Sequence, residues 1–204
     1  FTASFLNQAG ALVHIYKDGT VLVNHGGTEM GQGLHTKIRQ IAALELGVDL
    51  EYIKVNATNT TKVPNTSATA ASAGTDLNGA AVKNAIEQIK LRMEEVAAKI
   101  FNQQLSEDES QSLAADIVIE KNIAFDRHHP NRKIAFSALC EACVFQQVSL
   151  SATGYYRTPG VHFDRAIGKG KPYHYFSFGM AVTEVQVDTL TGHVQLLRTD
   201  LLHD

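Results

Sequence analysis

A long amphipathic helix is the feature that most constrains the fold of this chain. After Asp76, apolar residues recur at helical spacing, at Val82, Ala85, Ile86, Ile89, Met93, Val96, Ala97 and Ile100. A stripe of this length has to be buried against another apolar surface, so the pattern requires strands or helices that pack on it. We expect Thr75 or Asp76 to cap the helix, because a side-chain oxygen there can accept a hydrogen bond from a free amide of the first turn.

Strands and further helices are predicted on both sides of this element. Alternating apolar residues indicate strands at 9–16 and 20–24 around a turn at 17–19, then at 52–57, 148–156, 175–187 and 193–202. Helical spacing over 34–46 predicts a second helix that ends at Gly47. Because the strands and helices do not alternate regularly, we expect an α+β fold, with mixed or antiparallel sheets packed against amphipathic helices. The polar segment near 102–133 is interpreted as a surface insertion, with a short helix at 110–115 and strands at 117–119 and 123–125.

A glycine-rich segment, HGGTEMGQGLHTK at residues 25–37, lies where a predicted strand passes into a predicted helix. We call residues 26–33 the glycine loop. Its four glycines, at positions 26, 27, 31 and 33, allow tight turns and a close approach to a ligand, and the free amides of the following helix start attract anions. The pattern therefore favours a phosphorylated ligand, although a plain strand-to-helix connection has the same composition.

A second loop of small residues strengthens the ligand interpretation. The run VPNTSATAASAGTD at residues 63–76, here called the serine loop, directly precedes the long helix and contains no bulky side chain. Two such loops suggest one shared site. Neither loop matches a dinucleotide fingerprint or a P-loop, which need G-x-G-x-x-G or a closing Lys and Ser or Thr.

The two loops together resemble those of the molybdenum hydroxylases, and among these most closely the xanthine dehydrogenases. The same likeness extends to FTASFLNQAGALVHIYKDGTVLV at the beginning of the chain, to SLSATGYYRTPG, and to HYFSFGMAVTEVQVDTLTGHVQLLRTDLLHD at its end. It covers the chain from end to end and is weakest between about Met93 and Cys143. On this resemblance we expect residues 1–204 to be a fragment of a molybdenum cofactor-binding domain that belongs to a larger cytoplasmic enzyme.

The resemblance implies which residues contact the cofactor, a molybdopterin. In the family, the MGQG turn and the serine loop hold the pterin and phosphate, which implies contacts from Met30, Gly31, Gln32, Ala71, Ser72, Ala73, Gly74 and Thr75. An amide side chain such as that of Gln32 suits a pterin edge, because both carry donors and acceptors. The family's substrate pocket implies substrate-lining roles for Phe1, Thr2, Ala3, Ala70 and Ala71. No metal ligand is assigned.

The implied reaction is hydroxylation of an electron-poor ring carbon of a purine, xanthine or hypoxanthine, with oxygen from water. The catalytic base of the family lies in a segment that this chain does not contain, so we assign no catalytic residue here and expect the fragment alone to be inactive. FAD and iron–sulfur clusters are expected in other segments or subunits of the parent enzyme, which is expected to be oligomeric. Alternatives are an aldehyde oxidase-type fragment, a phosphate- or nucleotide-binding domain without molybdenum, and a packing domain whose loops are only tight turns.

Several other residues are interpreted as structural. Cys140 and Cys143 share one face of a predicted helix and lack the second ligand pair that a metal site needs. His25 and His35 are expected to be hydrogen-bonding partners, and Glu29 to bind backbone amides or face solvent. A net charge of -3 without a basic cluster argues against a nucleic-acid partner, and no apolar run is long enough to predict a membrane span.

Overall fold

The computed structural model describes residues 3–63, 66–103, 105 and 110–203, and their helices and strands alternate irregularly along the chain. The α-helices are α1 (Leu34–Leu46), α2 (Gly74–Asn102) and α3 (Phe136–Phe145). Short 3₁₀ turns cover Ser4–Leu6, Leu50–Tyr52 and Ala114–Asp116. The strands are β1 (Gln8–Ile15), β2 (Val21–His25), β3 (Ile53–Val55), β4 (Ile117–Glu120), β5 (Ile123–Asp126), β6 (Lys133–Ala135), β7 (Ser151–Arg157), β8 (His162–Asp164), β9 (Lys169–Lys171), β10 (Gly179–Val187) and β11 (Val194–His203).

A four-stranded mixed sheet in the order β3-β2-β1-β7 supports the site described below. Strand β1 pairs antiparallel with β2 and β7, whereas β3 runs parallel to β2. Every second side chain of β1 is buried, as expected when one face of a sheet covers a core. The last residue of β2, His25, leads directly into the glycine loop.

Helix α2 packs across this sheet and against α1. Its predicted apolar stripe is buried except for Ile100, which is partly buried, and Met93 at its centre is fully inaccessible to solvent. The helix lies very close to β7, since a Cβ on Gly154 would be 2.0 Å from the carbonyl oxygen of Ala81. Helix α1 adds Ile38, Ala42 and Leu46 to the same core. The predicted α+β fold is therefore confirmed.

The ends of the two helices test the sequence-based boundaries. Helix α1 covers the predicted residues, and Gly47 ends it in a left-handed conformation, as expected. The predicted cap of α2 is wrong: the helix already begins at Gly74, so Thr75 and Asp76 belong to its first turn. Its N-cap position is occupied by Ala73, and no side chain makes a capping hydrogen bond there.

The segment near 102–133 forms much of a small sheet in the order β4-β5-β6. The strands predicted at Ile117 and Ile123 are present, whereas the helix predicted at 110–115 is reduced to the turn Ala114–Asp116. Ile117, Ile119 and Ala124 belong to the main core cluster. That the segment is an insertion stays a prediction.

The chain from Gly160 onward forms a second compact unit, distinct from the unit Ala3–Pro159. It contains the short hairpin β8–β9 and the long antiparallel hairpin β10–β11, which has a bulge between Glu184 and Val185. Strand β10 begins four residues later than predicted, and the short strands β8 and β9 were not predicted. Many apolar side chains of the long hairpin are exposed, including Val182, Leu196, Leu201 and Leu202. No helix among the described residues has the length and apolar character needed to cross a membrane.

Candidate functional site

The glycine loop and the serine loop meet in space at Thr28 and Thr69, which are 41 positions apart in the sequence. The backbone N–H of Thr28 donates a hydrogen bond of 2.8 Å to the hydroxyl of Thr69. Beside this bond, a Cβ on Gly26 would lie 1.9 Å from Oγ1 of Thr66, so only glycine allows the loops to approach this closely. The two ligand-binding candidates of the sequence are thus parts of one surface.

Glu29 organises the glycine loop from within. Its Oε1 accepts hydrogen bonds of 3.0 Å from the N–H groups of Gly31 and Gly33, and its Oε2 accepts one of 2.9 Å from the N–H of His35. These hydrogen bonds lower the pKa of Glu29, and the bond from His35 has the largest effect. The carboxylate is therefore charged at neutral pH. Glu29 therefore binds backbone amides, as expected. The expectation of free amides at the start of α1 is wrong for these three groups.

Gln32 also bonds within its own loop. Its Oε1 accepts from the N–H of Met30, and its Nε2 donates a bond of 2.8 Å to the carbonyl of Thr28. One N–H and one lone pair of the exposed amide remain available to a ligand. Beside it, Gly31 and Gly33 adopt left-handed φ angles of 94° and 76°, and the space where a side chain would lie is open at both.

The serine loop differs because its donors are not used up. Among the described residues, no acceptor contacts the N–H groups of Ser72, Gly74 and Thr75 or the hydroxyls of Ser72 and Thr75. Ala71 and Ser72 hold left-handed φ angles of 54° and 57°, which cost a non-glycine residue about 1 to 2 kcal/mol each. Backbone strain of this kind is frequent at ligand-binding sites. Ala70, Ala71 and Ser72 are exposed.

This arrangement fits the cofactor that the sequence implies. The unused amides and hydroxyls at the start of the 29-residue helix α2 are suitable donors for a phosphate. Buried polar atoms without a described partner, Oγ1 of Thr66 and Oδ1 of Asn78, lie where the serine loop and α2 contact Gly26 and Gly27. The spare groups of Gln32 add a donor and an acceptor suited to a pterin edge. We conclude that the donor set suits a phosphorylated heterocycle.

Two histidines support the glycine loop. Nε2 of His25 lies 3.0 Å from Nδ1 of His35, and Nδ1 of His25 accepts a bond of 3.1 Å from the N–H of Gly27. The expectation that they are hydrogen-bonding partners is confirmed. Burial and then His35 lower the pKa of His25 to about 4. Among the described residues, no three His, Cys, Asp or Glu side chains are grouped so as to hold a metal ion.

The other predicted site residues lie elsewhere or outside the described residues. Phe1 and Thr2 belong to the latter group. Ala3 is buried, and its carbonyl accepts a bond from the N–H of Leu6. Sequence reasoning missed Thr69 and Thr66, for which the only signal was the run of hydroxyl residues in the serine loop. Of the two open clefts described, of about 720 and 900 Å³, neither is lined by a residue of either loop.

The two cysteines of helix α3 are part of the buried core. Cys140 and Cys143 are free and fully buried on α3. Burial raises the pKa of Cys140 to about 12 and that of Cys143 to about 11, so both are neutral thiols at physiological pH. This state suits core residues, as the sequence predicted.

Comparison with known proteins first gives the class. The fold is that of quinoline 2-oxidoreductase from Pseudomonas putida 86, with a TM-score of 0.79 and 21% identity, over 96% of this chain and 23% of that one. The model of the family described as "Molybdopterin cofactor-binding domain" matches residues 1–204. The chain therefore belongs to the molybdopterin cofactor-binding domain family, and the predicted resemblance to the molybdenum hydroxylases is confirmed.

Curated relatives are closer in sequence. The chain is 45% identical over 207 residues to xanthine dehydrogenase of Dictyostelium discoideum, and 44% identical over 204 residues to xanthine dehydrogenase/oxidase of Gallus gallus. Both alignments cover all of this chain and 13% of the relative. The chain thus spans about an eighth of the length of these relatives.

Proposed function

We propose that this chain is the part of a xanthine dehydrogenase-like molybdenum hydroxylase that holds the molybdopterin, in an enzyme that hydroxylates xanthine or hypoxanthine. The observation that carries the proposal is the hydrogen bond from Thr28 to Thr69, because it joins the two loops that the family uses for its cofactor. The names of the relatives support the purine substrate. When bound, the cofactor supplies the redox centre for hydroxylating an electron-poor ring carbon with oxygen from water.

The residues of the two loops have different tasks in this proposal. The carboxylate of Glu29 accepts hydrogen bonds from the N–H groups of the glycine loop, so few donors remain there for a phosphate. Its negative charge would also repel a phosphate. The start of α2 carries unused donors, which favours the phosphate at Ser72, Gly74 and Thr75. Gln32 then orients the pterin through its spare N–H and lone pair.

Neighbouring residues complete the proposed contacts. Met30 and Gly31 directly precede Gln32 and contact the pterin in this proposal, and Ala71 and Ala73 place their backbone against the cofactor. Small side chains at Ala70 and Ala71 leave room for the substrate, whose pocket Phe1, Thr2 and Ala3 also line in this proposal. The residue that moves a proton from water comes from another segment of the parent enzyme.

The rest of that enzyme is the proposed partner. Because the chain spans 13% of its relatives, other segments of the same molybdenum domain are available to cover the exposed apolar side chains of the β10–β11 hairpin. We further propose that FAD and iron–sulfur clusters lie in those other segments or subunits, and that the parent is a cytoplasmic oligomer.

Removing the unused hydroxyls tests the proposal. In the complete enzyme, the double variant Ser72→Ala and Thr75→Val should lose molybdenum, because each hydrogen bond to a charged group contributes about 1.5 to 3 kcal/mol, or roughly tenfold or more in affinity. The matched control is Thr153→Val, whose exposed hydroxyl on β7 contacts neither loop. Molybdenum per protein and pterin content are measured after dialysis.

The assay separates the alternatives. Oxidation of xanthine and hypoxanthine, with no oxidation of aromatic aldehydes, is the expected result for the unmodified enzyme. Preference for aldehydes would instead assign an aldehyde oxidase. Phosphate or nucleotide binding without molybdenum would indicate a cofactor-free binding domain, and no ligand at all would leave a packing domain.

A further inference from the structure

A buried histidine, His25, and the half-buried His35 beside it anchor the glycine loop and have no role in the proposed function so far. His25, at the end of β2, is 2% exposed, and His35 is the second residue of α1. Their rings meet edge to face, with centroids 5.0 Å apart. His25 thus joins the sheet, the loop and the helix at one point.

The hydrogen bonds fix where the protons of both rings lie. A backbone N–H can only donate, so Nδ1 of His25 carries no proton while it accepts from Gly27. The neutral ring is therefore protonated on Nε2 and donates to Nδ1 of His35, whose own proton then lies on Nε2. A proton added to Nδ1 of either ring removes an acceptor and breaks this chain of bonds.

Gly27 transmits this order to the loop. A Cβ on Gly27 would lie 2.5 Å from Cδ2 of Leu34 and 2.9 Å from Nδ2 of Asn78, so the residue fills its place without spare room. Its carbonyl accepts a hydrogen bond from the hydroxyl of Thr58. Because both peptide groups of Gly27 are held, the next N–H, that of Thr28, is directed at the serine loop.

We propose that His25 is a positioning residue for the cofactor loops: as a neutral imidazole held by His35, it fixes the N–H of Gly27 and keeps the glycine loop joined to the serine loop. The titratable groups that face His25 are His35 and Glu29, and a neutral His25 bonded to Nδ1 of His35 maintains the arrangement. The inference rests on the proposed function only in naming molybdopterin as what the two loops hold.

Two substitutions of His25 distinguish the loss of its hydrogen-bond acceptor from a change in side-chain volume. Asparagine at position 25 places Oδ1 where Nδ1 now accepts from Gly27, whereas glutamine reaches the position of Nε2 and offers Gly27 no acceptor. The control is His14→Gln, because His14 bonds Ser151 on the same sheet and contacts neither loop. Hydrogen–deuterium exchange of peptides from residues 26–35 and from α2 is followed by mass spectrometry in the complete enzyme, together with molybdenum content.

In His25→Gln, the amides of Gly27 and Thr28 should exchange at least tenfold faster while α2 is unchanged, and molybdenum content should fall severalfold. His25→Asn should restore both values, and His14→Gln should leave both unchanged. The proposal is overturned if all three variants exchange like the unmodified enzyme, if asparagine loosens the loop as much as glutamine, or if α2 loosens to the same degree. Normal molybdenum with a loosened loop would overturn the positioning role alone, and an unmodified enzyme without molybdenum would overturn the proposed function alone.

Discussion

Replacing His25 with asparagine should remove a large part of the acid sensitivity of folding. Burial, and then His35, lower the pKa of His25 from 6.5 to about 4 in the folded chain. Above about pH 6.5 the ring is neutral in both folded and unfolded chains, so it adds no pH dependence. As the pH falls from 6.5 towards 4, His25 binds a proton in the unfolded chain but not in the folded chain, so the free energy of unfolding decreases across this range.

The expected size follows from the same shift. One pKa unit corresponds to about 1.4 kcal/mol, so the free energy of unfolding should decrease by roughly 2 kcal/mol between pH 6.5 and about 5, and by roughly 3 kcal/mol at pH 4. Asparagine does not titrate, and its Oδ1 preserves the acceptor for Gly27. His35 and Glu29 are present in both proteins, so their own contributions cancel to first order.

Urea unfolding of the 204-residue chain, followed by circular dichroism at about pH 8 and about pH 5, measures this difference. The unmodified chain should lose roughly 2 kcal/mol more on acidification than His25→Asn. His14→Gln should retain the full loss, because it leaves His25 in place. Equal losses in the unmodified chain and in His25→Asn would refute the assignment of a neutral, buried His25.

Three further changes test the loops and the core. Thr69→Val should lower the free energy of unfolding by about 1 kcal/mol, because the N–H of Thr28 loses its acceptor; urea unfolding that matches Thr153→Val would contradict this. Met93→Ala should lower it by about 2 to 5 kcal/mol through the cavity left in α2, and a loss below about 1 kcal/mol in the same assay would show that the core collapses around the gap. Cys140 and Cys143 should resist iodoacetamide at about pH 8 and react once urea unfolds the chain, as followed by mass spectrometry; labelling of the folded chain would show that these thiols are accessible.

Local sequence patterns predicted the elements whose own residues form a clear hydrophobic pattern. Helix α1 has the predicted bounds because an apolar stripe and Gly47 mark it, and the stripe of α2 is buried as expected. The start of α2 was misplaced because a side-chain cap was expected at Thr75 or Asp76, whereas the N-cap position is Ala73, which makes no side-chain capping bond. Strands β8 and β9 escaped prediction since each has only three residues and carries no alternating pattern.

Sequence motifs predicted which loops form the site, but not which hydrogen bonds hold them together. The composition of the two loops and their resemblance to a known family predicted one shared site, yet the residue that joins them, Thr69, looks like any other hydroxyl residue in its run. The tautomer of His25 depends on the direction of one backbone N–H, that of Gly27, which no sequence pattern specifies. Glu29 was expected to bind backbone amides or to face solvent, but the sequence did not specify that three amides converge on its carboxylate.

The starts of α1 and α2 show how one domain can both fix and free its backbone donors. At α1, the carboxylate of Glu29 satisfies the amides that a helix start leaves open, so the glycine loop keeps its shape without a ligand. At α2, no side chain of the described residues takes this part, and Ala71 and Ser72 are held in a strained conformation beside it. A loop that is already satisfied can orient a ligand, whereas a strained and unsatisfied loop gains most from binding one. This asymmetry is the physical reason for our proposal that the anionic end of the cofactor binds at α2 and its heterocycle beside Gln32.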